Sequence, residues 1–172
     1  MQLESFIRDI PDWPKPGIIF KDITPLLKEP EALNEAITRM SQPFANKGIE
    51  LVCAAESRGF IFGAAIAREL GAGFVPIRKP NKLPYETRAI SYQLEYGSDS
   101  LEMHTDAVGK DQAVLMVDDL LATGGTMKAC CELVNASGGR IVGSSFLIEL
   151  GFLNGRKLLT DGGELHVVMQ YP

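Results

Sequence analysis

The sequence predicts an α/β fold in which a mostly parallel, twisted sheet carries helices on both faces. The first observation is that short apolar runs rich in branched residues alternate with helical patterns along the chain. The second is that this alternation continues with no internal repeat, low-complexity tract or linker to divide it. Regular alternation of strand and helix is typical of parallel sheets, whose ligands bind at the carboxyl ends of the strands.

The apolar runs and helical patterns place each element. Strands are predicted at residues 49–55, 72–77, 113–120, 140–150 and 166–171, and helices at residues 59–70 and 126–139. In the second helix Cys130, Leu133 and Val134 share one face, and Gly138 is expected to end the helix. With 172 residues and 45% hydrophobic content, the chain is expected to be one domain, residues 1–172, with a full core.

About the first 40 residues are predicted to form a small cap on this body. Four prolines and Gly17 in the stretch PDWPKPGIIFKDITPLL favour an irregular path. Thr24 and Pro25 are then expected to open a helix as its N-cap and first residue.

Residues from about 80 to 107 are predicted to form a mobile loop and a hairpin. The stretch RKPNKLPYETR is polar and punctuated by proline, whereas residues 90–107 alternate apolar and polar positions on either side of GSDS. The hairpin turn is therefore expected at GSDS. A long loop on an otherwise compact domain is more often functional than idle.

Composition narrows the class of protein. A net charge of −5 argues against a dedicated nucleic-acid binder, which needs a basic face. No stretch approaches the roughly 20 apolar residues that cross a bilayer, and the acidic N-terminus does not fit a signal peptide, so we expect a cytoplasmic protein without membrane contact. The three cysteines and two histidines have spacings that indicate neither a disulfide framework nor a zinc site, and buried thiols are expected.

The stretch VLMVDDLLATGGT, residues 114–126, concentrates the chemistry. A strand is expected to end at Asp118 and Asp119, with both acids at its exposed end, and the small residues 122–126 lead into a helix. Backbone N–H groups of such a loop and of the first helical turn make an anion cradle, from which bulky side chains would exclude a phosphate. The carboxylates suit hydroxyl groups or a water-bridged magnesium ion, so the stretch indicates a sugar phosphate. The alternative at this point is an ordinary capped helix with two solvent-facing acids.

The same stretch resembles the phosphoribosyl diphosphate (PRPP) signature of the type I phosphoribosyltransferases. LLATGGT, GIIFKDITPLL, ESRGFIFG, IRKPNKLP and LEYG are similar to the motifs of adenine-specific members of that family, in the same order over nearly the whole chain. The resemblance implies the type I phosphoribosyltransferase fold and a purine-salvage reaction that converts adenine and PRPP to AMP and pyrophosphate. It also implies a magnesium dependence and a homodimer.

Carried over by position, the resemblance assigns the PRPP contacts. Asp118 and Asp119 match the acids that hold the ribose hydroxyls, possible contacts of Mg²⁺ through water. The loop for the 5′-phosphate is matched by Ala122, Thr123, Gly124, Gly125 and Thr126. The pyrophosphate loop is matched by Glu56, Ser57, Arg58 and Gly59, with a cis peptide bond implied between Glu56 and Ser57. Arg58 would offer a fork of donors to the leaving group.

The loop and hairpin match further groups of the family's site. Lys79 and Lys82 match basic residues that close over the diphosphate, and Tyr96 matches a residue near it. Glu95 matches a catalytic acid that manages the proton on N7 of the purine. Asn81 departs from the glycine or basic residue expected there.

The adenine site is matched by Ile19, Phe20 and Lys21, with Leu150 as an apolar wall. Phe20 would be a stacking surface, and the neighbouring backbone would read the edge of the ring. The same fold also includes 6-oxopurine phosphoribosyltransferases and PRPP-sensing regulators of transcription. The regulators carry an added nucleic-acid-binding segment or basic face, which this acidic chain does not indicate; the 6-oxopurine alternative stays open.

Overall fold

The computed structural model describes residues 1–94, 97–160 and 163–172, with only the backbone described at residues 93, 94, 97 and 98. The nine strands are β1 (Arg8–Pro11), β2 (Ile19–Asp22), β3 (Leu51–Ala55), β4 (Gly73–Ile77), β5 (Thr87–Leu94), β6 (Gly97–His104), β7 (Ala113–Leu121), β8 (Arg140–Leu150) and β9 (Glu164–Tyr171), all within these described residues. The α-helices of the same residues are α1 (Thr24–Lys28), α2 (Pro30–Ser41), α3 (Gly59–Leu70) and α4 (Gly125–Ala136).

The central sheet has five parallel strands in the order β4-β3-β7-β8-β9. Helix α3 connects β3 to β4, and helix α4 connects β7 to β8. Parallel neighbours need such crossovers because the chain must return to the same end of the sheet. The predicted α/β class with a parallel sheet is therefore confirmed.

The sheet separates two cores. Along β3, Val52 and Ala54 contribute to a cluster that includes residues of α1, α2 and α3, whereas Cys53 and Ala55 contribute to a cluster around α4. This division follows from the strand period of two, which points successive side chains to opposite faces. All three cysteines are buried, Cys53 in the sheet and Cys130 and Cys131 on α4.

Two further antiparallel pairs lie outside the main sheet. Strands β1 and β2 pair from Arg8↔Asp22 to Pro11↔Ile19, where the sequence predicted only an irregular path. The predicted N-cap at Thr24 is wrong by one residue, since Ile23 holds that position in α1. Asp22 supplies the capping contact instead, because its carboxylate accepts the Thr24 N–H at 2.9 Å.

Strands β5 and β6 form the predicted hairpin, but the turn is not at GSDS. Those residues belong to β6 and pair with β5, from Leu94↔Gly97 to Ser91↔Ser100. Cross-strand hydrogen bonds explain why this polar stretch continues the strand, since the hydroxyls of Ser91 and Ser100 are 2.8 Å apart. Glu95 and Tyr96 lie outside the described residues.

Within the part of the chain that is described, no helix has the length and apolar character needed to cross a bilayer.

Candidate active site

A cleft of about 340 Å³ opens at the carboxyl ends of β3 and β7. Its walls come from two stretches of chain, which are Glu56–Arg58 and Asp118–Met127. The predicted anion loop and the predicted ESR stretch therefore face the same space, although about sixty residues separate them in sequence. Parallel strands bring them together because their carboxyl ends lie at one edge of the sheet.

The loop from β7 to α4 has the geometry of an anion cradle. Gly124 is the N-cap of α4 and has a left-handed backbone, with φ of 85°. A glycine N-cap offers no capping side chain, so the backbone N–H groups at the start of α4, whose residues line the cleft, are suited to bind an anion. A positive φ and a bare backbone both require glycine at this position.

Asp118 and Asp119 are less exposed than predicted. Strand β7 continues to Leu121 instead of ending at the acidic pair, and Asp119 is only 4% exposed. The prediction that both acids sit at an exposed strand end is therefore wrong. Strand pairing causes the difference, because Asp118 and Leu121 both remain in register with β8.

Each carboxylate has a specific neighbour. Asp118 Oδ1 accepts the N–H of Asp119 at 2.9 Å, and Asp119 Oδ2 lies 2.8 Å from Arg58 Nε. Gly59, at the start of α3, allows the close approach of Asp118, since a Cβ there would lie 2.8 Å from Asp118 Oδ1. The first residues of α3 and the end of β7 are thus fitted to each other around the two acids.

Burial raises the pKa of both acids. For Asp118 the enclosure of the carboxyl group by protein atoms is the largest cause, followed by the charge of Asp119. For Asp119 burial is again the largest cause, but the Arg58 guanidinium opposes it. Asp118 is only partly buried as a residue and lines the cleft. A cation or hydroxyl donors bound here would stabilise the charged form of these two neighbouring, desolvated carboxylates.

The ESR stretch takes the predicted conformation. The peptide bond between Glu56 and Ser57 is cis. The Glu56 carboxylate accepts the N–H of Lys79 at 2.6 Å and lies 3.4 Å from Arg78 Nε. Burial opposes ionisation of Glu56, but these donors outweigh it and its pKa lies below the ordinary value. The Glu56 side chain therefore holds the end of β4, while residues 56–58 line the cleft.

The two predicted loop lysines do not line the cleft. Lys79 Nζ forms an ion pair with Asp99 of β6, and Lys82 is exposed. Asn81 lies between them with φ of 64°, a left-handed conformation that asparagine tolerates better than most residues. The unexpected asparagine thus has a conformational explanation. The predicted roles of Glu95 and Tyr96 fall outside the described residues.

A second pocket, of about 550 Å³, adjoins the cleft through Thr123, which lines both. Its lining is mainly apolar and consists of Gly17, Ile18, Ile19, Lys21, Thr123, Leu150, Phe152, Leu153, Tyr171 and Pro172. Three of the four residues predicted for the adenine site, Ile19, Lys21 and Leu150, belong to this wall. Phe20 instead packs against Trp13 with a ring separation of 4.4 Å, and the Arg58 guanidinium lies 5.1 Å from its ring centre.

Sequence reasoning missed most of this second wall. Phe152 and Leu153 follow β8 after one residue, Gly151, and Tyr171 lies at the end of β9. Phe152 is 63% exposed, and two adjacent apolar residues just beyond the glycine that ends a strand were a signal that could have been used. Lys21 is fixed in the wall by Asp9, 2.7 Å away, and by the Tyr171 ring, 4.0 Å away.

The cleft and its loops correspond to one known domain family. The family model described as the phosphoribosyl transferase domain matches residues 22–157, which include both loops of the cleft. The chain belongs to the phosphoribosyltransferase family.

Among members of this family, the relatives matched over nearly the full chain are adenine phosphoribosyltransferases. That of Nitrosococcus oceani is 58% identical over 160 residues, which cover 93% of this chain and 94% of the relative. The crystal structure from Thermoanaerobacter pseudethanolicus is 50% identical with a TM-score of 0.95, covering 99% of this chain and 98% of that one. The crystal structure from Saccharomyces cerevisiae, complexed with an imino-altritol bisphosphate and adenine, is 36% identical with a TM-score of 0.89, covering 97% and 96%.

Proposed function

We propose that the protein transfers the phosphoribosyl group of PRPP to adenine, giving AMP and pyrophosphate in purine salvage. The observation that carries this proposal is that Asp118 and Asp119 line the same cleft as a glycine-capped anion loop, with an apolar pocket joined to that cleft by Thr123. A sugar phosphate and a flat apolar base need these two subsites side by side. The names of the relatives support adenine as the base.

The backbone of Ala122–Thr126 would bind the 5′-phosphate, as the left-handed Gly124 and the first turn of α4 present N–H groups there. Asp118 and Asp119 would accept hydrogen bonds from the ribose hydroxyls. Glu56, Ser57 and Arg58 would hold the diphosphate, chiefly through their backbone and the Arg58 guanidinium. The diphosphate then leaves from a position that these residues fix, and donors aimed at its growing charge lower the barrier.

Adenine would occupy the pocket of about 550 Å³, between Ile19 and Lys21 on one side and Leu150 on the other. Phe20 would act from behind this wall, because it supports Trp13 and contacts Arg58. Holding the attacking nitrogen in line with the anomeric carbon is the main task of this pocket. Glu95 would manage the N7 proton of the base.

Lys79 and Lys82 would reach the diphosphate by movement of the loop, together with Tyr96. The stretch from about residue 80 to 107 would serve as the mobile element, and about the first 40 residues as a cap over the base. The contact of Lys79 with Asp99 supports this role, because exchange of one anionic partner for another costs a lysine little.

Mg²⁺ fits the donor set of the cleft. It prefers oxygen ligands, and the paired carboxylates of Asp118 and Asp119 are desolvated and would gain from a cation. Among the described residues, no three His, Cys, Asp or Glu side chains come together as metal ligands. Mg²⁺ would therefore bind mainly through the oxygens of PRPP, and the two aspartates would contact it through water. It would neutralise charge on the diphosphate.

We also propose that the protein is a cytoplasmic homodimer. Exposed apolar side chains outside the base pocket, Ile61 at 42% and Tyr85 at 57%, are of the kind that a second subunit covers. Sedimentation at several protein concentrations tests this part, and a monomer at micromolar concentration would contradict it.

The reaction itself is tested with purified protein, PRPP, Mg²⁺ and a panel of purine bases. Adenine should react at least about a hundredfold faster than hypoxanthine or guanine, because a pocket that hydrogen-bonds the 6-amino group leaves buried groups unpaired against a carbonyl. Equal rates with hypoxanthine would indicate a 6-oxopurine enzyme of the same fold. No turnover of any base would contradict the proposal.

A further inference from the structure

Glu149 and Arg156 form an ion pair beside the phosphate loop that the reaction described above does not use. Glu149 lies in β8 next to Leu121 of β7 and is 1% exposed. Arg156 Nε donates to Glu149 Oε1 at 2.7 Å, and Arg156 Nη2 donates to Oε2. These bonds raise the pKa of Arg156. A carboxylate so deeply buried requires a partner, and the bidentate guanidinium fixes the geometry of both residues.

Gly155, the residue before Arg156, lies directly against the phosphate loop. It is buried, whereas Asn154 and Arg156 on either side of it are exposed. A Cβ on Gly155 would lie 3.0 Å from Gly124 N and closer still to the carbonyl oxygen of Ala122. The contact is reciprocal, because a Cβ on Gly124 would meet the Gly155 carbonyl group. The two backbones are therefore packed with no space for a side chain between them.

The ion pair and the packing of Gly155 together support the backbone of the phosphate loop. Strand β8 is fixed in the sheet, Glu149 holds Arg156 to the end of that strand, and Arg156 carries Gly155 against Ala122 and Gly124. The left-handed Gly124 forms the N-cap of α4, so any displacement of Gly155 would change the direction of the N–H groups that face the cleft.

We propose that Glu149, Arg156 and Gly155 are positioning residues for the 5′-phosphate loop. The proposal rests on the proposed function, because it takes the phosphate of PRPP as the ligand of that loop. None of the three contacts the substrate. They act by fixing the backbone of Ala122 and Gly124 in the orientation that binds phosphate.

The test measures binding without turnover. The dissociation constants of PRPP with Mg²⁺ and of adenine are determined by calorimetry for wild type, Arg156→Ala, Arg156→Lys and Gly155→Ala. Lys157→Ala is the matched control, since Lys157 is an exposed basic residue on the same turn. Thermal unfolding of every variant is followed in parallel.

Arg156→Ala should weaken PRPP binding about tenfold and adenine binding much less. Even a shift of Gly155 by a fraction of an ångström would misalign the backbone N–H donors of the phosphate loop. Arg156→Lys should fall between it and wild type, as lysine keeps the charge but loses the fork. Gly155→Ala should also weaken PRPP binding although the ion pair remains. Lys157→Ala should match wild type.

A purely structural role would give a different pattern. It would lower the melting temperature and the fraction of active protein while leaving the PRPP dissociation constant of the folded fraction unchanged. A folded Arg156→Ala with PRPP affinity within about twofold of wild type would overturn the proposal. If Arg156→Ala does not fold, Arg156→Lys and Gly155→Ala decide by the same criterion.

Failure of the proposed function is distinguishable. Wild-type protein that binds PRPP without transferring it to adenine would reject the activity, and the comparison of PRPP binding between variants would still test the positioning. Wild-type protein that does not bind PRPP would reject both.

Discussion

Arg58 Nε lies 2.8 Å from Asp119 Oδ2, so the guanidinium assigned to the diphosphate and a carboxylate assigned to the ribose meet across the cleft. Asp119 is buried and Arg58 is about one-third exposed, which gives the pair one fixed and one adaptable member. A guanidinium has five N–H donors, and one contact to Asp119 leaves others to face an anion. The pair therefore fixes the position of Arg58 while it neutralises a buried acid.

Arg58→Lys should weaken PRPP binding about tenfold, because lysine keeps the charge but cannot hold Asp119 and the diphosphate at the same time with a rigid fork. Calorimetric titration with PRPP and Mg²⁺ measures the effect. Arg68→Lys, in the last turn of the same helix α3, is the matched control and should bind as wild type does. Unchanged PRPP affinity in Arg58→Lys would remove the guanidinium from the binding site.

The double variant Asp118→Asn with Asp119→Asn should lower turnover at least about a hundredfold, since both acceptors for the ribose hydroxyls lose their charge. Steady-state assays with adenine measure turnover, and circular dichroism checks that the fold is intact. Wild-type turnover by the folded double variant would show that the carboxylates do not take part.

Asp118→Asn alone should raise stability at neutral pH. Burial raises the pKa of this carboxyl group, so the folded protein binds more protons than the unfolded chain between the ordinary and the raised pKa. Stability therefore falls as pH rises through that window, and asparagine removes the loss. We therefore expect a gain in stability at pH 7 that disappears toward acid pH.

Urea unfolding at a series of pH values measures this change. Asp106→Asn, at an exposed position after β6, is the control and should show the pH profile of the wild type. A parallel profile for Asp118→Asn would contradict the prediction. Higher stability of Asp118→Asn, together with a loss of turnover in that same single variant, would identify Asp118 as an acid kept for function at a cost in folding.

Gly124→Ala should abolish detectable PRPP binding and lower stability by about 1–3 kcal/mol, because alanine combines a positive φ with a collision against Gly155. Gly48→Ala separates the two causes. Gly48 has φ of 63°, and no atom lies within 4 Å of the position that a Cβ would take there. Gly48→Ala should therefore lose a similar amount of stability from backbone strain but keep its PRPP affinity. Loss of PRPP binding in both variants would assign the effect to general destabilisation.

Phe20→Leu should weaken adenine binding severalfold with little change in PRPP affinity, because Phe20 stands between the pocket residues Ile19 and Lys21 and packs against Trp13. Trp13 is the one tryptophan of the chain, so its fluorescence reports on this region. Adenine should change that fluorescence in wild type with a midpoint at its dissociation constant. Equal adenine midpoints in wild type and Phe20→Leu would exclude this support.

The elements predicted best are those with strong periodicity and clear ends. Helix α3 and strand β8 have the predicted bounds, 59–70 and 140–150, because each has a continuous apolar pattern that its packing then uses. The hairpin was predicted, but its turn was misplaced. Composition favoured GSDS as a turn, whereas cross-strand hydrogen bonds keep Ser100 in β6.

The loops that line the cleft could be predicted from the sequence, but the burial and contacts of their side chains could not. Residues 56–58 and 118–126 were expected together, and they line one space. The burial of Asp119 depends on neighbours from α3 and β8, and no local pattern contains that information. The pair of Glu149 and Arg156 was also missed, because the two side chains meet only through the turn that the chain makes after β8.

The three buried cysteines can report how often the fold opens around the central sheet and α4. Burial raises the pKa of Cys53 to about 12, with a contribution from Cys131, and burial likewise raises the pKa of Cys130. Because the thiolate is the form that reacts, alkylating reagents should label these positions only when the sheet separates from α4. The rate of labelling then counts excursions from the closed fold, and PRPP, by binding that fold alone, should slow it in proportion to its occupancy.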